Sequence, residues 1–454
     1  MSALHTSNVN KKSIACRLFY VSTLRGKGTR LKFFSSLIAL CCFCFSTVIY
    51  AGLLNINPAT VEAESWTILD TQTGQVIAEH NSHAQRAPAS LTKMMTAYIA
   101  LKEIKAGRLN KDEIITATPI VSIVQPDESQ MFLKPGEKIS VDQLLAGLIV
   151  MSANDAAVSL AEKISGSLPA FIARMNQEAQ AIGMKNTHFS NPAGITMDDH
   201  FSSAHDLALL GDTIVRQAPE YLHYSKQPSF SYKNKEHLAT NLVLKLDPSS
   251  DGMKTGFTKA AGYNLALTAH RPNSQQGLAE RRLMVVVMGT KGMEKRAEVA
   301  YKLLDLAYYY TRNQVGLEGK QLIAEVPVNK SANKLYKVEA KQTQLITTSL
   351  YQQVGAIDLA LFDLAQHSIM QADAQGQMTA IAPKTDVVTH MNVALKQKDL
   401  TAPVNQVIQL AQVNIYQGDQ LLQSFDIEDQ VQIEESTWYQ RFWAWLQEKF
   451  PFLA

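Results

Sequence analysis

Apolar and polar residues alternate from Ser65 to Asp70 and again from Gln75 to His80, with the turn-forming Thr71–Gly74 between them. That pattern predicts a β-hairpin. The period then changes. Apolar residues recur at helical spacing from Leu91 to Lys105, stopped by Gly107, and again over Val141–Met151, Asp155–Ile164, Pro169–Gly183 and Ser203–Ala218. Pro169 suits a first helical turn and Gly183 a C-terminal stop. Three strand-like runs follow, Gly252–Thr258, Tyr263–His270 and Leu283–Gly289, and a helix over Glu294–Thr311 closes the block. Strands at both ends with helices between them require the distant strands to pair into one antiparallel sheet that carries the helices, an α+β architecture.

Beyond this block the texture is different. The runs LIAEVPV, KLYKVEA, TQLITTSL, VVTHMNVAL and QVIQLAQVNIY predict a separate small all-β domain over residues 316–433, with no catalytic grouping among its polar side chains. Residues 434–454 end in STWYQRFWAWLQEKFPFLA, which holds three of the chain's four tryptophans. On a helical wheel Trp438, Tyr439, Phe442, Trp443, Trp445, Leu446 and Phe450 form one arc, facing away from Gln440, Arg441, Gln447 and Glu448. Lys449 falls inside the arc and has to snorkel. The segment is too short and polar to span a bilayer and suits an amphipathic helix lying in a membrane surface. Its bland alternative is a helix packed on the β region or on a second subunit.

The other end of the chain sets the compartment. Lys11, Lys12, Arg17, Arg25, Lys27, Arg30 and Lys32 precede the apolar run FFSSLIALCCFCFSTVIYAG, and no acidic residue occurs before Glu62. Basic, then apolar, then small residues near Ala51 read as a secretory leader over residues 1–52, with an uncleaved anchor as the alternative. All four cysteines lie in it. The body is cysteine-free, which excludes disulfides and cysteine metal sites there. The formal charge of +2 misleads, because without the leader 36 basic residues face 41 acidic ones. A slightly acidic body argues against a nucleic-acid partner.

Three short motifs carry chemistry. Ser90-Leu91-Thr92-Lys93 opens a helix, and residues three apart share a face, so Lys93 can take the proton of Ser90 if burial lowers its pKa. Taken alone, it reads as a capping serine and a solvated lysine. Ser152-Ala153-Asn154 lies between two helices, as a cap or as a proton relay with an amide clamp. Lys254-Thr255-Gly256 lies on a strand, as a carboxylate site or as an aggregation-blocking edge lysine. The order S-x-x-K, S-x-N, K-T-G is that of penicillin-binding proteins and active-site serine β-lactamases. His80 and His83 have H-x-x-H spacing but no evident third ligand, so no metal or cofactor is expected.

The text around the motifs, ASLTKMMTAY, MSANDAA, FIARMNQEAQAIGMKNTHFSNPAG, FSSAHDLALL and DGMKTGFTKAAGYNLALTAHR, resembles the low-molecular-mass penicillin-binding proteins that are serine-type D-alanyl-D-alanine carboxypeptidases. The resemblance spans roughly residues 57–312. It implies a serine β-lactamase/penicillin-binding-protein-like domain over 53–315, an antiparallel sheet with a helical subdomain, followed by the β region and the C-terminal helix. It implies that Ser90 is acylated, that Lys93 is the base, and that Ser152 and Asn154 complete the proton and substrate network. Lys254, Thr255 and Arg296 would hold a terminal carboxylate, with Gly256 beside them, and the backbone N–H groups of Ser90 and Phe257 would form the oxyanion hole. The implied partners are peptidoglycan stem peptides, β-lactams as covalent inhibitors and a membrane surface, at the periplasmic face of the inner membrane. The oligomeric state stays open. A β-lactamase, a D,D-endopeptidase or a non-catalytic envelope protein of the same fold are the alternatives. Four positions depart from the family's best-known members: Ala193 and Phe257 where histidine is common, Gln217 in place of an aspartate, and Thr240 in place of a basic residue.

Overall fold

The computed structural model describes residues 52–273, 277–353 and 355–450. The expected leader, apart from Gly52, and the last four residues of the expected C-terminal segment lie outside the described residues. Strands β1 (Ser65–Asp70) and β2 (Val76–His80) form the expected hairpin. The helices are α1 (Lys93–Lys105), α2 (Val141–Ile149), α3 (Asn154–Ser165), α4 (Leu168–Ile182) and α5 (Ala204–Gln217). Strands β3 (Ser250–Thr258), β4 (Gly262–Arg271) and β5 (Arg281–Thr290) follow, then α6 (Met293–Tyr310).

The sheet order is β2-β1-β5-β4-β3, all antiparallel. Pairing of β1 with β5, from Ser65 opposite Met288 to Asp70 opposite Leu283, joins the two ends of the block. Successive side chains of a strand point to opposite faces. On β5, Met284, Val286 and Met288 enter the core under α1–α5, whereas Leu283, Val285 and Val287 enter a second core under α6. Both faces being covered explains the unbroken apolar run LMVVVM, since a strand buried on both sides loses its alternation.

The second core does not stop at α6. It continues through Leu317, Val326 and Ile346 into Leu410, Val413, Ile415, Leu422 and Val431 of a long hairpin, β6 (Val404–Gln417) and β7 (Gln420–Ile433). Polar ties reinforce the junction. Gln75 donates to the carbonyls of Thr347 and Leu422 at 3.2 Å each and accepts from the Thr347 N–H at 2.6 Å. Arg281 pairs with Asp70 at 2.7 Å and donates to the Thr311 carbonyl. Helix α6 ends at Tyr310, and Thr311 already begins a strand that runs to Leu317.

Helix α7 (Trp438–Lys449) opens with a capping box between Thr437 and Gln440. Trp438, Tyr439, Phe442, Trp443, Trp445 and Phe450 are all exposed, while Arg441 and Gln447 are partly covered. The aromatic side chains of its apolar arc face solvent, Leu446 of that arc is partly covered, and Gln440 and Glu448 on the other face are exposed as well. No helix among the described residues is long and apolar enough to cross a membrane.

Candidate active site

Ser90 sits in a short 3-10 turn, Ala89–Thr92, that runs straight into α1. Ala89 holds φ at +50°, a conformation that costs a non-glycine residue about 1–3 kcal/mol. Ser152 at +63° and Met253 at +120° are strained in the same sense, so each motif has a strained residue within it or next to it. Two glycines allow the crowding around Ser90. A Cβ on Gly194 would lie 1.9 Å from the Ala89 carbonyl oxygen, and one on Gly256 would lie 3.0 Å from the Ser90 nitrogen. Asn264 of β4 ties the approach down: Nδ2 donates to the carbonyls of Ala87 at 3.1 Å and Pro88 at 3.2 Å, and Oδ1 accepts from the Gly289 N–H at 2.9 Å.

Lys93 is wholly buried, so it is not a solvated lysine. Its Nζ lies 2.9 Å from Ser90 Oγ and donates to the Ala193 carbonyl at 2.5 Å. Burial lowers its pKa to about 7, and the carboxylates of Glu128 and Asp155 pull it partly back. Asp155 accepts from the N–H groups of Met131 and Leu133 at 2.9 and 3.0 Å, which holds the loop that carries Glu128. Asn154 closes that contact, donating from Nδ2 to Glu128 Oε2 at 2.7 Å and from its backbone N–H to the Ser129 carbonyl at 2.7 Å.

Neither polar residue of the S-x-N motif serves as a helix cap, because Ala153 holds the N-cap position of α3. Ser152 is 8% exposed and its hydroxyl makes no hydrogen bond among the described residues. Lys254 lies on an edge strand but is only 2% exposed. Burial, and then the charges of Lys93 and Arg296, drive its pKa well below the ordinary lysine value. Its Nζ donates to the Thr255 carbonyl at 2.9 Å. Arg296 is buried, and its guanidinium donates to the carbonyls of Gly256, Asn264 and Thr240 at 3.3, 3.4 and 3.0 Å. Burial brings its pKa down to about 10, so it stays charged at neutral pH. Thr255 Oγ1 is hydrogen-bonded to Thr240 Oγ1 at 2.5 Å. Phe257 is half exposed, with its ring centroid 4.3 Å from that of Tyr263.

The four departures have places of their own. Ala193 lends its carbonyl to Lys93, and Thr240 joins Thr255 to Arg296. Gln217, at the end of α5, accepts from the Tyr98 hydroxyl at 2.7 Å. His200 is buried nearby, with Nε2 against Thr92 Oγ1 at 2.8 Å and Nδ1 accepting from the Ser190 N–H at 2.9 Å. Burial lowers its pKa to about 4, so it is neutral and holds the Ser90 turn as a hydrogen-bonding strut. Sequence reasoning missed Glu128, Asp155 and Asn264. Asn264, fully buried in a strand of apolar neighbours, offered a signal as a polar residue that had to find partners. Glu128 sits in a polar loop and offered none.

A family model described as D-alanyl-D-alanine carboxypeptidase, of peptidase group S11, matches residues 54–292. The chain is 35% identical over 295 residues to D-alanyl-D-alanine carboxypeptidase DacA of Escherichia coli, covering 63% of this chain and 72% of that protein. It is 32% identical over 352 residues to DacA of Haemophilus influenzae, covering 77% and 87%. Among solved structures it is similar to penicillin binding protein 5 of Haemophilus influenzae, with a TM-score of 0.69 and 28% identity over 84% of this chain and 100% of that one. The family model covers more than half of the chain, and the chain belongs to the family of serine-type D-alanyl-D-alanine carboxypeptidases.

Proposed function

We propose that this chain removes the last D-alanine from peptidoglycan stem pentapeptides through an acyl-enzyme on Ser90. The observation that carries the reading is Lys93, buried, 2.9 Å from Ser90 Oγ and with a pKa near neutrality. A lysine that is about half neutral at pH 7 can take the serine proton as Oγ attacks the penultimate carbonyl. The oxyanion forms at the N-terminus of the Ser90 turn, where the Ser90 N–H and the Phe257 N–H of β3 serve as donors. Collapse breaks the peptide bond, and the departing amine takes its proton from Lys93 by way of the free Ser152 hydroxyl. Water then attacks the acyl carbon as Lys93 accepts one of its protons, the ester bond to Oγ breaks, Lys93 returns that proton to Ser90 Oγ, and the shortened peptide leaves with a new terminal carboxyl group.

Lys254, Thr255 and Arg296 supply the carboxylate side. Burial and the neighbouring Lys93 and Arg296 make positive charge on Lys254 unfavourable, and the substrate's terminal carboxylate offsets that cost. A carboxylate arriving beside Lys254 favours its ammonium form, against the burial and the like charges that disfavour it. Arg296 acts mainly by holding the K-T-G strand through its carbonyls and by its charge. Asn154, its amide N–H engaged with Glu128, turns its oxygen toward the substrate backbone. Penicillins, whose carboxylate and strained amide mimic this terminus, acylate Ser90 in the same way. Export by the leader and attachment through the exposed aromatics of α7 bring the site to the periplasmic face of the inner membrane.

The test is a labelled penicillin and a pentapeptide ending in D-Ala-D-Ala, read as covalent adduct and as released D-alanine. Ser90→Ala should abolish both signals, and Lys93→Ala should reduce both by about a thousandfold or more. Labelling of Ser90→Ala at the parent level would remove the assignment.

A further inference from the structure

Away from the cleft, Glu79, His83 and His205 converge from three segments: the end of β2, the loop after it and the first turn of α5. One ligand atom of each lies within 4.8 Å of the other two. Glu79 Oε2 is 3.9 Å from His205 Nδ1, and the two imidazole centroids are 4.4 Å apart. Ser82 orients the carboxylate by donating from Oγ to Glu79 Oε2 at 2.6 Å, and its carbonyl accepts from the His205 N–H at 2.9 Å. Neither imidazole makes a side-chain hydrogen bond among the described residues. His205 is half buried, and His83 is exposed.

Two imidazoles and a carboxylate are a donor set that suits zinc, which takes such ligands at about 2.0–2.2 Å and accepts a fourth from solvent. We propose that Glu79, His83 and His205 form a zinc site outside the catalytic centre, with its fourth position open to water. Donors around tetrahedral zinc stand roughly 3.3 Å apart, so the exposed His83 ring closes in on loading. The H-x-x-H spacing pointed to the wrong partner. The His80 ring faces the Asn81 amide at 2.9 Å and lies beside Trp66, whereas His205, far away in sequence, completes the set with Glu79. The hydroxyl of Ser82 is the positioning group that fixes the carboxylate. Loading would fasten the segment leading to Ser90 onto the start of α5, where the Arg86 and Ser202 backbones already exchange hydrogen bonds at 2.8 and 2.9 Å.

The test is calorimetric titration of the metal-free full chain, purified without a histidine tag, with zinc chloride. One equivalent should bind in the micromolar range or tighter. His83→Ala and His205→Ala should each weaken it by at least about tenfold, while His80→Ala leaves it unchanged. A second measurement needs no variant. Zinc should slow carbethoxylation of His83 and His205 in the parent protein, read by peptide mass spectrometry, and a chelator should restore it. No one-equivalent binding below about 100 µM, binding that survives loss of both histidines, or protection confined to other histidines would each overturn the proposal.

Discussion

Lys93 combines two demands that oppose each other. Burial strips its ammonium of water and lowers its pKa to about 7, while Glu128 and Asp155 act to keep the proton on. Acylation needs the neutral amine, so the rate of penicillin labelling should rise with pH and level off, with a midpoint near 7. Glu128→Gln removes a charge that favours the protonated form. The midpoint should then fall, by about half a unit to one unit. Labelling rates across the pH range measure it, and an unchanged midpoint would mean that Lys93 does not feel that carboxylate. The motif residues were legible in the sequence because their chemistry demands fixed residue types at fixed spacings. Glu128 and Asn264 were not, since each acts through a contact that only the folded chain creates: Glu128 with Asn154, and Asn264 with Ala87 and Pro88.

At the scale of elements, the turn that bears Ser90 is shaped by what presses on it. Gly194 and Gly183 both hold positive φ, at +89° and +91°. They differ in surroundings, for a Cβ on Gly183 meets nothing within 4 Å and one on Gly194 meets the Ala89 carbonyl. Gly183→Ala should cost about 1 kcal/mol and leave acylation intact. Gly194→Ala should cost about 3 kcal/mol or more and abolish labelling, because the turn must shift to make room. Urea unfolding and penicillin labelling of the two variants separate the cases. The long strands and helices of this block followed from period alone. Strand β7 did not: Asp426, Glu428 and Asp429 break up its apolar positions, and its pairing with β6 decides what its own pattern leaves open. The end of α6 was misplaced by one residue for a similar reason, since Thr311 pairs with Ser349 as a strand residue.

For the whole molecule, the outward aromatic face of α7 sets one expectation. A chain truncated after Glu435 should lose most of its affinity for anionic vesicles, measured by sedimentation with the leader removed from both forms, because the attachment proposed above buries the exposed Trp438, Phe442 and Trp443. Equal binding of both forms would exclude the helix as the anchor.

The apolar core under α6 has a different consequence. It runs without a break from Ile68 and Val285 of the catalytic sheet to Val413 and Val431 of the distal hairpin, and Gln75 and Arg281 lock the junction. Neither half can lose its packing without exposing the other, so heat should melt them in one cooperative transition. Calorimetry should record a single endotherm, and two separate peaks would contradict the shared core. Any event at Ser90 that stabilises the folded state then protects the entire chain. Penicillin acylation should therefore raise the melting temperature reported by a probe on the distal hairpin by as much as one beside the serine.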